Sequence, residues 1–157
     1  MNLRTATAAD LPTLVTLYRE TVLVNAPQFY SAAQTEAWAA VETGSLQFRQ
    51  FILNVTTYVA EDDTGILGFA GIGEDGHVAS AYVRHDCLHQ GIGSVLMQAV
   101  LTHAQEKQIP RLYAEASEFS LGLFQKFGFS QCGCEVVDHN GVQFTRYLVQ
   151  QLLDRAQ

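Results

Sequence analysis

A glycine-rich segment, Gly91-Ile92-Gly93, stands between a β-like run that ends near Arg84 and the longest helical pattern of the chain. Backbone N–H groups in the first turn of a helix have no partner within the helix, and the helix dipole adds partial positive charge there. Glycines let a ligand approach these donors without interference from a Cβ atom. The segment therefore predicts a binding site for a phosphate or a pyrophosphate.

The neighbouring residues exclude two common phosphate-binding motifs. A P-loop requires lysine and then serine or threonine after its last glycine, whereas Ser94 and Val95 follow Gly93. A dinucleotide-binding fingerprint requires a third glycine at the position of Leu96. From the residues alone, a glycine-rich start of a helix that binds no ligand stays the alternative.

The length, charge and cysteine content of the chain argue against several classes of protein. The chain has 157 residues, which predicts one domain over 1–157, and its net charge of −7 argues against a protein that binds nucleic-acid phosphates. No stretch of about 18 apolar residues predicts a membrane span, and Met1–Leu14 lacks the apolar run of a signal peptide. Three cysteines, Cys87, Cys132 and Cys134, give neither a disulfide framework nor a set of four metal ligands. We therefore expect a cytoplasmic protein with buried or half-buried free thiols and with no metal, nucleic-acid or membrane partner.

The hydrophobic pattern predicts the elements that position the glycine-rich loop. Periods of 3.6 and 2 residues predict the order β–α–α–(α)–β–β–β–α–β–α–β–β. The predicted strands are 2–6, 56–61, 65–73, 77–84, 111–116, 131–138 and 142–150. Helix-start signals stand at Thr7, Ser31 and Ser45, a short helix is predicted around 120–127, and Asn140-Gly141 is the strongest hairpin signal. These elements indicate an α/β (α+β) fold with a mixed sheet and helices on its faces.

Two motifs in order along the chain resemble those of small bacterial GCN5-related N-acetyltransferases (GNAT). The family's acetyl-coenzyme A loop is commonly Arg/Gln-x-x-Gly-x-Gly/Ala, and Leu88–Gly93 matches it except that Leu88 replaces the Arg or Gln. The family's second signature, often A-x-x-F-Y-x-K-x-G-F, is similar to Leu123–Phe129. The resemblance extends from about Leu3 to Val149. It implies a mixed, mostly antiparallel central sheet with helices on both faces and a splayed central pair of strands.

The resemblance also implies acetyl-coenzyme A as the cofactor and assigns residues to it. The exposed backbone of Ala81, Tyr82 and Val83 would pair with the pantetheine arm like an added strand. Backbone amides of the loop would hold the pyrophosphate, and they belong to His89, Gln90, Gly91, Ile92, Gly93 and Ser94. Phe124, in the second signature, would lie at the cofactor as well.

Acetyl transfer to an amine requires a base that removes a proton from the nitrogen. The strand before the loop resembles in outline that of arylalkylamine acetyltransferases, which carry a proton-relaying histidine at the position of His77. By strand alternation His77 would share a face with Ala79 and Ala81; a solvent-facing hairpin histidine is the alternative. Glu115 is the second candidate base, with a surface carboxylate or a pair with Lys126 as its alternative.

The leaving thiolate requires a proton donor. The family often uses a tyrosine of the second signature, and Phe124 stands at that position without an acidic proton. Tyr82, Tyr113 or Tyr147 would then replace it, or solvent would protonate the thiolate. The other histidines are expected away from the chemistry: His103 in the core, and His85 and His139 in loops.

Substrate recognition is expected in the early helices, where the family varies. Tyr18, Phe29, Tyr30 and Trp38 would form an acceptor pocket, with a place in the core as the alternative, favoured slightly for Trp38. The resemblance implies direct acetyl transfer to a primary amine of a small molecule or peptide, since Cys87 lacks a base partner for a covalent acyl-enzyme. A binding or regulatory module of the same fold that holds coenzyme A without turnover is the alternative function, and a homodimer is a further expectation.

Overall fold

A computed structural model describes residues 1–153, and its elements follow the predicted order. The strands are β1 (Asn2–Thr5), β2 (Thr56–Asp62), β3 (Gly65–Ile72), β4 (Val78–Val83), β5 (Arg111–Ala116), β6 (Ser130–His139) and β7 (Val142–Leu152). The helices are α1 (Leu11–Asn25), α2 (Ala32–Ala39), α3 (Leu46–Leu53), α4 (Ile92–Glu106) and α5 (Leu121–Lys126). Short 3₁₀ turns cover 8–10, 26–28 and 85–87. The predicted strand bounds therefore hold to within two residues at each end.

Local hydrogen bonds explain where the early helices begin. The Gln34 backbone N–H donates to Ser31 Oγ over 3.1 Å, and the Ser31 N–H donates to Gln34 Oε1 over 2.9 Å, which is the predicted capping box of α2. Thr7 and Asp10 cap the first 3₁₀ turn rather than α1 itself. The Asp10 carboxylate is also held by the Arg4 guanidinium through two contacts of 2.9 Å, which ties this turn to β1.

The strands form two antiparallel sheets that meet at one point. One sheet has the order β1-β2-β3-β4 and the other has the order β5-β7-β6. Between β4 and β5, the part of the chain that the structure describes contains one isolated parallel bridge, between His77 and Tyr113. Beyond this bridge the two strands separate, which confirms the predicted splayed central pair.

Helices cover both faces of the sheets, as predicted. On one face, Leu96, Met97 and Val100 of α4 pack with Phe124 of α5 and with Val149 of β7. On the other face, α1 and α3 pack against β2 and β3 through Leu14, Val15, Ile52, Val59 and Phe69, each at most 1% exposed. Because apolar side chains are buried on both sides, the two sheets are held together by helices where direct strand pairing stops.

The three cysteines are free, but their burial differs from the expectation. Cys87 is buried, as predicted, whereas Cys132 and Cys134 are exposed. Both exposed thiols lie on β6, which is an edge strand of its sheet. The prediction of buried or half-buried thiols is wrong for these two residues, because β6 is exposed along most of its length.

Gly76 lies at the closed end of the gap between β4 and β5. Its φ is +93°, and a Cβ atom at this position would stand 2.0 Å from the Arg111 carbonyl oxygen. We expect Gly76→Ala to lower the free energy of unfolding by about 3 kcal/mol, from the strained φ and from overpacking against backbone. Urea denaturation measures this change.

Gly44 provides the matched control for that prediction. Its φ is +84°, but a Cβ atom there would meet no atom within 4 Å. Gly44→Ala therefore carries the conformational cost alone, about 1 kcal/mol. Equal destabilisation by the two substitutions would contradict the role given to the close approach of Arg111.

No helix within residues 1–153 combines the length and apolar character that a membrane crossing requires.

Candidate functional site

A single cavity of about 630 Å³ passes through the gap between β4 and β5. One side of the cavity is formed by β4, Leu88 and His89, and the opposite side is formed by Glu115 and the 116–120 segment. Aromatic residues from the early helices and from β7 close it at the face covered by α1 and α2. We call this cavity the cleft. Its volume lies within the range of roughly 300–1,000 Å³ that is typical of small-molecule sites.

The edge of β4 presents unpaired backbone groups to the cleft. The Arg84 N–H donates to the Leu67 carbonyl over 2.7 Å, so the backbone groups of Arg84 point toward β3. Because backbone groups alternate along a strand, those of Ala81 and Val83 point away from β3, into the gap. The Val83 carbonyl there accepts a hydrogen bond of 3.1 Å from Thr21 Oγ1. The remaining groups match an extended ligand that adds to the strand.

The start of α4 offers a second set of free donors. Gly91 is the N-cap residue with φ +83°, and a Cβ atom there would meet nothing within 4 Å. Among residues 1–153, the backbone amides of His89–Ser94 donate to no acceptor. This loop therefore has the open space and the unpaired N–H groups that a pyrophosphate requires.

Lys126 supplies a positive charge at this loop that the sequence reasoning missed. Its Nζ lies 2.9 Å from Ser94 Oγ, at the first turn of α4. Arg84, the cationic residue that precedes the loop in the chain, is paired with Asp86 over 2.6 Å instead. The lysine belongs to the second signature motif, so the motif itself was the signal that would have identified it.

Phe124 forms part of the apolar wall of the cleft. It is 3% exposed, and its ring centroid lies 5.0 Å from that of Phe129. Phe124 thus borders the cleft, where it offers apolar contact and no proton.

His77 and Glu115 form a hydrogen-bonded pair at the closed end of the gap. His77 Nε2 lies 2.8 Å from Glu115 Oε1, and the imidazole stacks on Tyr113 with ring centroids 5.0 Å apart. Glu115 lines the cleft, whereas His77 is not among the described residues that line it. Glu115 therefore pairs with histidine, and the alternative pairing with Lys126 is excluded.

The face that His77 occupies differs from the prediction. A β-bulge interrupts β4 between Val78 and Ser80. Val78 consequently packs in the α4 cluster, on the same side as Ala81. His77 pairs with Glu115 on the other side of the sheet, so the prediction that it shares a face with Ala81 is wrong. Strand alternation failed because the bulge inserts one residue into the period.

Each member of the pair shifts the ionisation of the other. The hydrogen bond that His77 donates to Glu115 raises the pKa of His77, against the opposing effect of burial. The same hydrogen bond lowers the pKa of Glu115. The carboxylate is therefore ionised at neutral pH, and its Oε2 atom, which makes no hydrogen bond within residues 1–153, is free to accept one from a ligand or from water.

This pair leads to a titration prediction with an internal control. We expect the imidazole of His77 to titrate above its ordinary pKa near 6.5, and the imidazole of His103 to titrate below it, because burial lowers the pKa of His103. NMR chemical shifts against pH measure both. In Glu115→Gln the titration of His77 should move down while that of His103 stays in place; a His77 that titrates below His103 in the unmodified protein would contradict the pair.

Tyr82 lines the cleft with its hydroxyl held by a neighbour. Trp38 Nε1–H donates to the Tyr82 hydroxyl over 3.3 Å, and the Tyr18 ring lies 4.8 Å from the Tyr82 ring. Burial raises the pKa of Tyr82 and that of Tyr18. Both phenols therefore keep their protons at neutral pH and are able to donate a hydrogen bond.

The other tyrosines considered as proton donors are engaged elsewhere. The Tyr113 hydroxyl donates to Asp75, and the Tyr147 hydroxyl donates to Glu118. Neither tyrosine is among the described residues that line the cleft. Of the three candidates, Tyr82 alone is among the described residues that line the cleft.

The four predicted acceptor residues, Tyr18, Phe29, Tyr30 and Trp38, all line the cleft. Tyr30 and Trp38 are half-buried and contact each other with ring centroids 5.3 Å apart. The core and the pocket were posed as alternatives, but Trp38 both packs in the core cluster and borders the cleft.

Three further residues of this wall were missed from the sequence. Phe119 lies 5.0 Å from Phe29 between ring centroids, Phe144 lies 6.0 Å from Tyr30, and Arg146 also borders the cleft. Phe144 and Arg146 alternate along β7, so the period of the predicted strand would have placed them on one face. Phe119 stands in an irregular segment where no pattern indicates direction.

The predicted positions of the other three histidines agree with the structure to different degrees. His103 is half-buried, and its Nδ1 lies 2.8 Å from the Tyr58 hydroxyl. His85 lies in a 3₁₀ turn. His139, predicted in a loop, ends β6 and lines the cleft instead, because β6 extends one residue past its predicted end.

Within residues 1–153, no three His, Cys, Asp or Glu side chains are grouped as metal ligands.

Comparisons with known proteins agree with this geometry. Residues 27–150 match the family described as "Acetyltransferase (GNAT) domain". The chain therefore belongs to the GNAT acetyltransferase family, whose enzymes use acetyl-coenzyme A. No curated protein matches the sequence.

Solved structures share the fold at low sequence identity. A GCN5-related N-acetyltransferase from Rhodopseudomonas palustris has a TM-score of 0.90 at 24% identity, over 97% of this chain and 95% of that one. A ribosomal-protein-alanine N-acetyltransferase from Brucella melitensis has a TM-score of 0.72 at 23% identity, over 98% of this chain and all of that one. The PaiA N-acetyltransferase from Thermoplasma acidophilum in complex with coenzyme A has a TM-score of 0.69 at 19% identity, over 97% and 98% of the two chains.

Proposed function

We propose that this protein transfers the acetyl group of acetyl-coenzyme A directly to the primary amine of a small molecule. The observation that carries the proposal is the continuity of the cleft, which joins the open edge of β4 to Glu115 and to a wall of aromatic side chains. The cofactor and the acceptor would then meet inside one cavity.

The open edge of β4 and the start of α4 would hold the cofactor. The free backbone groups of Ala81 and Val83 would pair with the pantetheine arm. The amides of His89–Ser94 would bind the pyrophosphate, with Lys126 adding a positive charge. Bound acetyl-coenzyme A supplies a thioester carbonyl that a neutral amine attacks.

Glu115 would accept the proton of the acceptor amine, directly or through one water. Its ionised carboxylate borders the cleft, and His77 holds its Oε1 atom, which leaves Oε2 for the amine. His77 is then a positioning residue rather than the relay itself. Tyr82 would donate a hydrogen bond to the leaving sulfur, and solvent would supply the proton that the thiol needs.

Direct transfer is supported by the position of Cys87. Its thiol contacts the Asp86 carboxylate over 3.4 Å, and burial raises its pKa. A thiol with a raised pKa is a poor nucleophile, since the thiolate is the reactive form. Cys87 is also not among the described residues that line the cleft.

The size of the cleft favours a small acceptor over a protein. One cavity of about 630 Å³ would hold both the pantetheine arm and the acceptor. Contacts between α2 and the β6–β7 hairpin also close its far side, where Gln34 Nε2 donates to the Gln143 carbonyl over 3.1 Å and Asn140 Nδ2 donates to the Ala37 carbonyl over 3.0 Å.

Two measurements test the proposal. Calorimetry with acetyl-coenzyme A should show binding, and no binding at millimolar cofactor would overturn the proposed function. Thiol release over a panel of small primary amines and of short peptides with N-terminal alanine should then reveal turnover for small amines. A protein that binds the cofactor and acetylates no amine would be the binding module that is the alternative.

A further inference from the structure

Arg146 has hydrogen-bonding capacity that its neighbours do not use. Its Nη2 donates to Glu135 Oε2 over 3.0 Å, at the rim of the cleft. Its Nε is buried without a hydrogen-bond partner, and Nη1 has no acceptor within residues 1–153. A buried, unsatisfied donor is rare in folded proteins and requires an explanation.

The strand geometry brings this guanidinium beside Glu115. Glu115 pairs across the ladder with Leu148, two residues along β7 from Arg146, so Glu115 and Arg146 are diagonal neighbours on one face. The Arg146 charge also lowers the pKa of Glu115 and that of His77. The cleft therefore presents a carboxylate and a guanidinium side by side.

We infer that Arg146 binds the carboxylate of the acceptor, and that the acceptor is a free α-amino acid with an apolar side chain. This inference rests on the proposed function. In an α-amino acid the amine and the carboxylate are attached to the same carbon, which matches neighbouring groups of opposite charge. The amine faces Glu115 Oε2, and the carboxylate accepts hydrogen bonds from Arg146 Nη1, which has no acceptor within residues 1–153 and is not among the buried unpaired atoms.

The aromatic wall determines which side chain fits. Tyr30, Trp38, Phe119 and Phe144 contact one another, with ring centroids between 5.3 and 6.4 Å apart, and all four border the cleft. Aromatic surfaces favour an apolar or aromatic body over a charged one. Phenylalanine, leucine and tryptophan are therefore suitable probes.

The experiment compares each amino acid with the amine that lacks its carboxylate. The pairs are phenylalanine and 2-phenylethylamine, leucine and 3-methylbutylamine, and tryptophan and tryptamine. Calorimetry is performed on the protein saturated with coenzyme A, which allows binding without turnover. For at least one pair, we expect the amino acid to bind roughly 10- to 100-fold more tightly than its amine, the scale of charged hydrogen bonds.

Variants assign this preference to Arg146. In Arg146→Gln the ratio of the two affinities should fall to about one, and in Arg146→Lys, which keeps the charge but not the planar fork, it should fall in between. Arg49→Gln, at an exposed residue of α3 that does not line the cleft, is the matched control and should keep the ratio of the unmodified protein. Partial misfolding of a variant would reduce the binding of the amino acid and of the amine alike. The ratio of the two affinities would therefore stay unchanged, so misfolding does not mimic the expected effect.

Several results would overturn the inference. They are a ratio near one for all three pairs, binding of none of the amino acids, a ratio unchanged in Arg146→Gln, or a dipeptide such as Phe-Gly that binds as tightly as free phenylalanine. A parallel turnover assay with acetyl-coenzyme A distinguishes a failure of this inference from a failure of the proposed function. If amines are acetylated and amino acids are not, this inference fails and the proposed function stands; if no acceptor is acetylated, the proposed function fails.

Discussion

Gly91→Glu should weaken the binding of acetyl-coenzyme A by at least about 100-fold, which corresponds to roughly 2.7 kcal/mol. Gly91 stands at the start of α4 with open space where a side chain would project. A glutamate there would place a negative charge and a long side chain at the amides that we propose for the pyrophosphate. Calorimetric titration with acetyl-coenzyme A measures the loss.

Gly44→Glu separates this effect from strain and from added charge. Gly44 has φ +84°, close to the +83° of Gly91, and its side-chain position is equally open. Both variants carry the same conformational cost and the same extra charge, but Gly44 lies between α2 and α3 and not in the loop that opens α4. Gly44→Glu should bind the cofactor within about threefold of the unmodified protein, on the scale of small surface effects. Equal losses in the two variants would contradict the pyrophosphate site.

Glu115→Gln should lower kcat/KM by roughly 10²- to 10⁴-fold, the range for loss of a general base. Glutamine keeps the shape of glutamate and a hydrogen bond to His77, but it accepts no proton. Cofactor affinity should change little, because the proposed cofactor contacts come from β4 and α4. Steady-state kinetics with the best acceptor of the amine panel, beside calorimetry with acetyl-coenzyme A, measure both quantities.

Glu42→Gln is the control for the loss of one negative charge, since Glu42 is exposed and lies away from the cleft. It should retain full kcat/KM. If Glu115→Gln kept activity within threefold of the unmodified protein, Glu115 would not be the base. An equal fall in both variants would indicate an effect of net charge rather than of position.

Much of the fold follows from local patterns. The Ser31–Gln34 capping box starts α2 where the sequence predicts it, and Asn140-Gly141 forms the expected hairpin turn with positive φ at both residues. These features depend on residues close together in the chain. The bulge in β4 is different, because its extra residue is identified only by the register against β3. No local pattern marks it, and it reverses the face of His77.

The candidate site was predicted to a similar extent. The loop at Gly91 and the aromatic residues of the early helices were found because motifs and composition mark them. The pairing of Glu115 with His77 and the position of Arg146 depend on how β5 and β7 align, which is a long-range property. Arg146 also gave no signal of its own, since a single arginine on a strand is ordinarily a surface residue.

The separation of β4 from β5 affects the stability of the protein in the absence of its cofactor. An unpaired strand edge is a template on which other chains can add, and such edges promote aggregation. Here the edge lies in the interior of the fold, and a pantetheine arm bound along it would cap it. Ligand at a hundredfold excess over Kd stabilises a native state by about 2.7 kcal/mol. Acetyl-coenzyme A would therefore stabilise the native state of this protein in addition to serving as a reactant. Depletion of the cofactor would lower the amount of folded protein.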